Sequence, residues 1–183
     1  ECDKHNVSFV CVRSEDMKVG RQSLRGQKIS YGAYKQVELP LLGSYQTENA
    51  ALALEALECL KSCGVSLKEE KIRKGFMESQ WPGRFEILSK KPYIIADGAH
   101  NEDAVKKLME TMRFHFTNQR IIYIMGVLKD KDYTRMIQES VTMAEFVFTV
   151  TSPNKERALP ALDLAKQIRE YNPNVTATDS VEE

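Results

Sequence analysis

Downstream of Trp81-Pro82-Gly83, short apolar runs alternate with amphipathic stretches, and no other feature restricts the fold as strongly. The runs are 85–88, 93–96, 120–126 and 145–150, and 175–177 can start another. Between them, 102–116, 132–140 and 159–171 carry helical periodicity. In the first, Ala104, Val105, Leu108, Met109 and Met112 fall on one side. Strands apolar at nearly every position are covered on both faces, and connecting helices make neighbouring strands parallel. The expected fold class is α/β: a Rossmann-like, mostly parallel sheet with helices on both faces, occupying 81–183.

Residues 1–80 have a different texture. The first forty residues read as β structure, with an apolar run at 7–12 and alternation within 28–40, punctuated by Gly20, Gly26 and Gly32. From about Thr47 the period changes. Ala50, Ala53, Leu54, Leu57 and Leu60 recur at helical spacing until Gly64. A second helix is expected with Ser66 as its cap, Glu69 three residues on, and Ile72, Phe76 and Met77 as its apolar face. Pro82 then holds Trp81 extended and Gly83 admits either backbone hand, so the domain boundary is placed there.

Several function classes are set aside by composition. Lys plus Arg equals Asp plus Glu at 26 each among 183 residues, so no net field favours nucleic acid or an anionic membrane. No apolar stretch approaches the roughly 20 residues of a membrane span, and residues 1–10 do not read as a signal peptide. Cys2, Cys11, Cys59 and Cys63 form no C-x-x-C pair and are not spaced with His5, His100 and His115 as a zinc site. They are expected as unliganded core or half-buried thiols, which points to a reducing, cytoplasmic setting. Gly20 and Gly26-Gln27-Lys28 only mimic a P-loop: no G-x-x-x-x-G-K-[ST] is present, so P-loop nucleotide binding is incomplete here.

In an open parallel sheet, ligands gather at the carboxyl ends of the strands. Asp97-Gly98-Ala99-His100-Asn101 occupies such an end, between the run 93–96 and a helix that Asn101 can cap and Glu102 and Asp103 suit electrostatically. Its backbone N–H groups can receive an anion, although a well-capped βα turn needs nothing more. If 85–88 and 93–96 pair symmetrically about Lys90 and Lys91, Phe85 faces Ala96 and Arg84 faces Asp97. That pair reads either as a surface ion pair or as a nucleotide clamp, arginine to phosphate and carboxylate to ribose.

Four segments, in order, resemble one family: Leu42-Gly43-Ser44-Tyr45-Gln46-Thr47-Glu48-Asn49-Ala50-Ala51, Trp81-Pro82-Gly83-Arg84-Phe85-Glu86, Asp97-Gly98-Ala99-His100-Asn101, and Gly126-Val127-Leu128-Lys129-Asp130-Lys131-Asp132. Together with Thr151-Ser152-Pro153 and Arg157-Ala158, they are similar to the folylpolyglutamate synthase/dihydrofolate synthase family of Mur ligases, over roughly 30–170. The resemblance implies a ligase in which ATP phosphorylates a folate-linked carboxylate and the amine of L-glutamate attacks the acyl phosphate. It implies that 1–80 end the central ATP-binding domain, whose P-loop and Mg2+ ligands lie elsewhere, and that 81–183 form most of the carboxyl-terminal domain. By motif, Asn49, Arg84 and Asp97 match positions that contact ATP, and His100 matches one tied to the incoming glutamate or to domain closure. For Asn49 the alternative is helix capping.

Tyr45 stands where the family has His and cannot titrate near neutrality, so no proton-transfer role passes to it. Glu102 stands where the family has Pro, at a helix start that suits it. The expected partners are folate or dihydropteroate, L-glutamate and ATP, with no nucleic acid and no membrane, in a cytoplasmic monomer, and the isolated chain is expected to be inactive. The rival readings are another Mur-type ligase of cell-wall synthesis and a non-catalytic Rossmann-like module.

Overall fold

A computed structural model describes residues 9–154 and 156–178. The chain divides into two compact units, 1–96 and 97–183.

The first unit begins with an antiparallel meander, β1 (Met17–Ser23), β2 (Gly26–Tyr31) and β3 (Tyr34–Leu39), in that spatial order. Two-residue turns join them, the second using Gly32 at φ 52°, as tight hairpins require. Helix α1 (Ser44–Ser62) packs on β2 and helix α2 (Glu69–Met77) on β3. Alternation along β2 and β3 sends Ile29, Tyr31, Val37 and Leu39 to one core with Ala50, Ala51, Leu54 and Ile72. Ala53 and Leu60, counted in the expected stripe, are exposed; the buried side of α1 is Gln46, Thr47, Ala50, Ala51 and Leu54. Burial is full only over the first three turns; farther along, Leu57 still packs against the core, and Tyr34 of β3 meets the helix through polar contacts with Glu58 and Lys61.

Three local expectations are corrected here. Of the run 7–12, residues 7 and 8 lie outside the described residues, and 9–12 adopt no regular structure. The N-cap of α2 is Lys68 rather than Ser66, without a side-chain bond. Cys11 and Cys63 are exposed and only Cys59 is half-buried, while Cys2 lies outside the described residues.

A hairpin of β4 (Glu86–Lys90) and β5 (Tyr93–Ala96) closes the first unit. Its register differs from the symmetric one: Lys90 pairs with Tyr93 across a two-residue turn, and Glu86 rather than Phe85 pairs with Ala96. Strand β4 runs closer to the turn than expected, and a bulge between Ile87 and Ser89 changes the register again. Phe85, at φ 45°, bends the chain out of the strand, so no ladder sets Arg84 opposite Asp97.

The second unit is the expected parallel α/β layer but begins only at Asp97: the runs 85–88 and 93–96, expected within it, pair with each other in a separate antiparallel sheet. Helix α3 (Glu102–His115), β6 (Ile122–Met125), α4 (Tyr133–Ser140), β7 (Phe146–Thr149), α5 (Ala161–Ile168) and β8 (Val175–Ala177) follow one another. The strands form a parallel sheet in the order β6-β7-β8. Helix α5 packs on β7 and β8, and Ser140 of α4 bonds Tyr123, so these helices cover the face that carries Tyr123, Met125, Val147 and Thr149. Asn172 fastens this side: its buried amide donates to the carbonyls of Val141 and Ala144 at 2.9 and 2.7 Å. The opposite face carries Ile122 and Ile124, 66% and 55% exposed, beside Phe146 and Phe148. No helix among the described residues is long and apolar enough to cross a membrane.

Candidate functional site

The first unit holds Asn49 and Arg84. Helix α1 starts at Gly43, whose φ of 104° suits glycine, and a Cβ there would lie 2.6 Å from the Tyr45 ring. Asn49 is therefore inside the helix, not its cap. Exposed, it donates through Nδ2 to Gln46 Oε1 at 3.3 Å. Gln46 is itself buried, and among the described residues its Nε2 has no hydrogen-bond partner, nor has the buried Ser44 Oγ two residues before it. A buried donor without an acceptor costs on the order of 1–3 kcal/mol. Gln46 was within the matched segment, yet its burial was not legible there, because polar residues at a helix start are exposed by default.

Trp81-Pro82-Gly83-Arg84-Phe85-Glu86 folds onto itself. Arg84 N–H donates to the Trp81 carbonyl at 3.3 Å, and Gly83 N–H, on a residue at φ 70°, donates to Glu86 Oε2 at 2.7 Å. The Arg84 guanidinium lies 5.7 Å from the centre of the Trp81 ring and has no ion-pair partner among the described residues. A cation held against an aromatic face without a carboxylate keeps its charge available to an anion.

The second unit holds Asp97 and His100 on one turn, at the carboxyl end of β5. Asp97 Oδ1 accepts from Ala99 N–H at 2.8 Å, which shapes the turn. His100, exposed, donates through Nδ1–H to the Gly98 carbonyl at 2.9 Å, leaving Nε2 as the acceptor of the neutral ring. Asn101 caps α3 by accepting from Ala104 N–H at 2.8 Å, as expected. Arg135 of α4 reaches Glu102 at 2.7 Å and braces the same helix start. Burial pushes the Tyr123 hydroxyl pKa up, Ser140 pulls it back, and the charge of Asp97 adds to the rise.

One pairing in this unit escaped sequence reasoning. The loops after β6 and β7 are tied together: Lys129 N–H donates to the Arg157 carbonyl at 2.8 Å, and Arg157 grips Asp130 through Nη2 and Nε at 2.5 and 3.2 Å. Both residues lay in matched segments, but a contact between distant loops has no periodic signature. Arg157 holds the Asp130 carboxyl below the usual carboxylate range. With the folded value below the unfolded one, the tie contributes above the unfolded value, about 3.9, and is lost as pH falls through the folded value. A carbon-detected titration of Asp130 is expected to give a midpoint below about 3.9. Arg157→Ala should raise it, and a midpoint at or above the ordinary value excludes the tie.

Among the described residues no three His, Cys, Asp or Glu side chains converge.

The second unit, a parallel three-stranded sheet with helices between its strands, is of the α/β class, and its first turn, Asp97–Asn101, follows the antiparallel strand β5 rather than a strand of that sheet. Residues 83–183 match the family described as Mur ligase, glutamate ligase domain, and the chain belongs to the Mur ligase family. It is 33% identical over 153 residues to the dihydrofolate synthase/folylpolyglutamate synthase of Bacillus subtilis (strain 168), covering 80% of this chain and 36% of that one. To the folylpolyglutamate synthase of Lacticaseibacillus casei it is 36% identical over 152 residues, covering 79% and 35%. Among solved structures, a Mycobacterium tuberculosis folylpolyglutamate synthase complexed with ADP and AMPPCP superposes with a TM-score of 0.84 at 27% identity, over 97% of this chain and 41% of that one. The chain thus spans about a third of the length of these curated relatives.

Proposed function

We propose that this stretch is part of an ATP-dependent ligase that adds L-glutamate to folate, as a tetrahydrofolylpolyglutamate synthase with or without dihydrofolate synthase activity. The observation that carries the reading is the Asp97–Asn101 turn, shaped by its own aspartate and opening the capped helix α3. Longer matches to enzymes named for this reaction, over 153 and 152 residues, favour it over the cell-wall ligases, one of which, from Streptococcus suis, is 33% identical over 141 residues.

In this reading 1–80 end the central ATP-binding domain and 81–183 form the glutamate ligase domain. Asn49, Arg84 and Asp97 contact ATP: the guanidinium offsets phosphate charge without transferring a proton, and the carboxylate accepts from ribose hydroxyls. His100 positions the incoming glutamate, with Nε2 as the acceptor for its ammonium group. Gln46 fixes the amide of Asn49. Mg2+ is held by groups outside this stretch, and no step here runs through it. The whole protein works as a cytoplasmic monomer.

The test uses the chain extended to the length of its relatives, with ATP, Mg2+, labelled L-glutamate and tetrahydrofolate. Release of ADP and phosphate is expected to depend on both substrates and to match the label entering the pterin product. The 183-residue chain alone should release no phosphate. Turnover that ignores folate, or that requires a cell-wall precursor instead, would sink the reading.

A further inference from the structure

On the meander of the first unit lies a cleft of about 350 Å³ that the proposed reaction leaves unassigned. Arg21, Arg25, Lys28 and Glu38 line it, together with the exposed apolar residues Pro40 and Met77. Lys28 and Glu38 are cross-strand neighbours joined at 2.8 Å, and their charges offset each other. Arg21 and Arg25 are exposed and have no ion-pair partner among the described residues, so the cleft presents two uncompensated guanidinium groups. Their placement follows from the backbone. The β1–β2 register shifts between Val19 and Gln22, which takes Arg21 out of the regular ladder, and Arg25 sits in the two-residue turn before Gly26. The chain as a whole is neutral, so this charge is local.

We infer that the cleft binds a short γ-linked glutamyl chain through its carboxylates; the choice of ligand rests on the glutamate-adding reading above. A guanidinium fork matches a planar carboxylate with two parallel hydrogen bonds. A γ-glutamyl chain alternates such carboxylates with methylene pairs, which the exposed Pro40 and Met77 can cover. A nucleotide is disfavoured, since among the described residues no aromatic side chain lines the cleft to stack a base. The volume sits at the low end of small-ligand sites, about 300–1,000 Å³, and suits a few glutamyl units rather than a whole folate.

The experiment is an NMR titration of the 183-residue chain with tri-γ-L-glutamate, and separately with free L-glutamate and with tripolyphosphate. Saturable shifts are expected for amides of 20–28 and 37–40, with the trimer bound at least tenfold more tightly than the monomer. The affinity should weaken as salt rises. Replacing both arginines, Arg21→Ala with Arg25→Ala, should weaken trimer binding about tenfold, the corresponding Lys pair less, and Arg113→Ala on α3 not at all. No saturable shift, shifts centred elsewhere, an unchanged double variant, or tripolyphosphate binding as tightly as the trimer would each overturn the inference. Should the double variant fail to fold, the wild-type shift map and the tripolyphosphate arm still decide it. Trimer binding alongside an extended protein that makes no amide would sink the ligase reading and leave the cleft standing; synthesis without trimer binding would do the reverse.

Discussion

In the extended protein, Asp97→Asn is expected to lower kcat/KM for ATP-dependent glutamate addition by about 100-fold while leaving the fold unchanged. The substitution separates two roles that the structure superimposes on one carboxylate. Asp97 Oδ1 accepts from Ala99 N–H, and an asparagine amide oxygen can accept the same bond at the same place. What asparagine removes is the negative charge. If Asp97 only shapes the turn, turnover should stay near normal. If it contacts ATP, a charge-assisted acceptor is lost, and removing one such group commonly costs a factor of 10²–10³, or about 3–4 kcal/mol of transition-state stabilisation. Asp97→Ala should lose activity as well and also loosen the turn, seen as faster amide exchange at Ala99. Normal turnover by the Asn variant would remove Asp97 from the nucleotide site and leave a structural residue.

The layout of the second unit was readable because periodicity and capping are local. Val175–Ala177 forms a strand with the expected bounds, as does Tyr93–Ala96 just before this unit, and Asn101 caps α3 through its own side chain. The runs 120–126 and 145–150 shrink to Ile122–Met125 and Phe146–Thr149, since apolar residues continue past the last ladder bond into the turns. Helix α5 begins at Ala161 because Pro160 sits at its N-cap, and it is shorter than its apolar pattern.

Registers and tertiary pairs were not readable. One bulge and a tighter turn moved the β4–β5 ladder by a residue at its open end, enough to remove the proposed Arg84–Asp97 pairing from it. Arg84 lies against Trp81, three positions back, with Gly83 between them at a left-handed φ. Gln46, Arg157 and the Arg21–Arg25 cleft were missed for a related reason. Each is defined by what a distant segment brings to it, and a single chain read in order holds no record of that.

Leu54→Ala is expected to destabilise the first unit by about 3 kcal/mol, with little effect on the second. Leu54 is fully buried, among Ile29, Val37, Ala50, Ala51 and Ile72, so truncation removes a full side chain's transfer energy and leaves a cavity between α1 and the sheet. Ala50 and Ala51 are too short to close the gap, and β2 is held by ladder bonds on both sides, so relaxation is limited. Hydrogen exchange can locate the loss. Amides of β2 and β3 should lose protection by roughly two orders of magnitude, while those of β7, under Leu164 and Ile168 in a separate core, should keep theirs. Leu164→Ala should give the mirror result. Leu60→Ala, at an exposed position on the same helix, should cost well under 1 kcal/mol. Equal loss of protection in both units after Leu54→Ala would mean that they unfold as one, and the division at Ala96 and Asp97 would then be geometric rather than energetic.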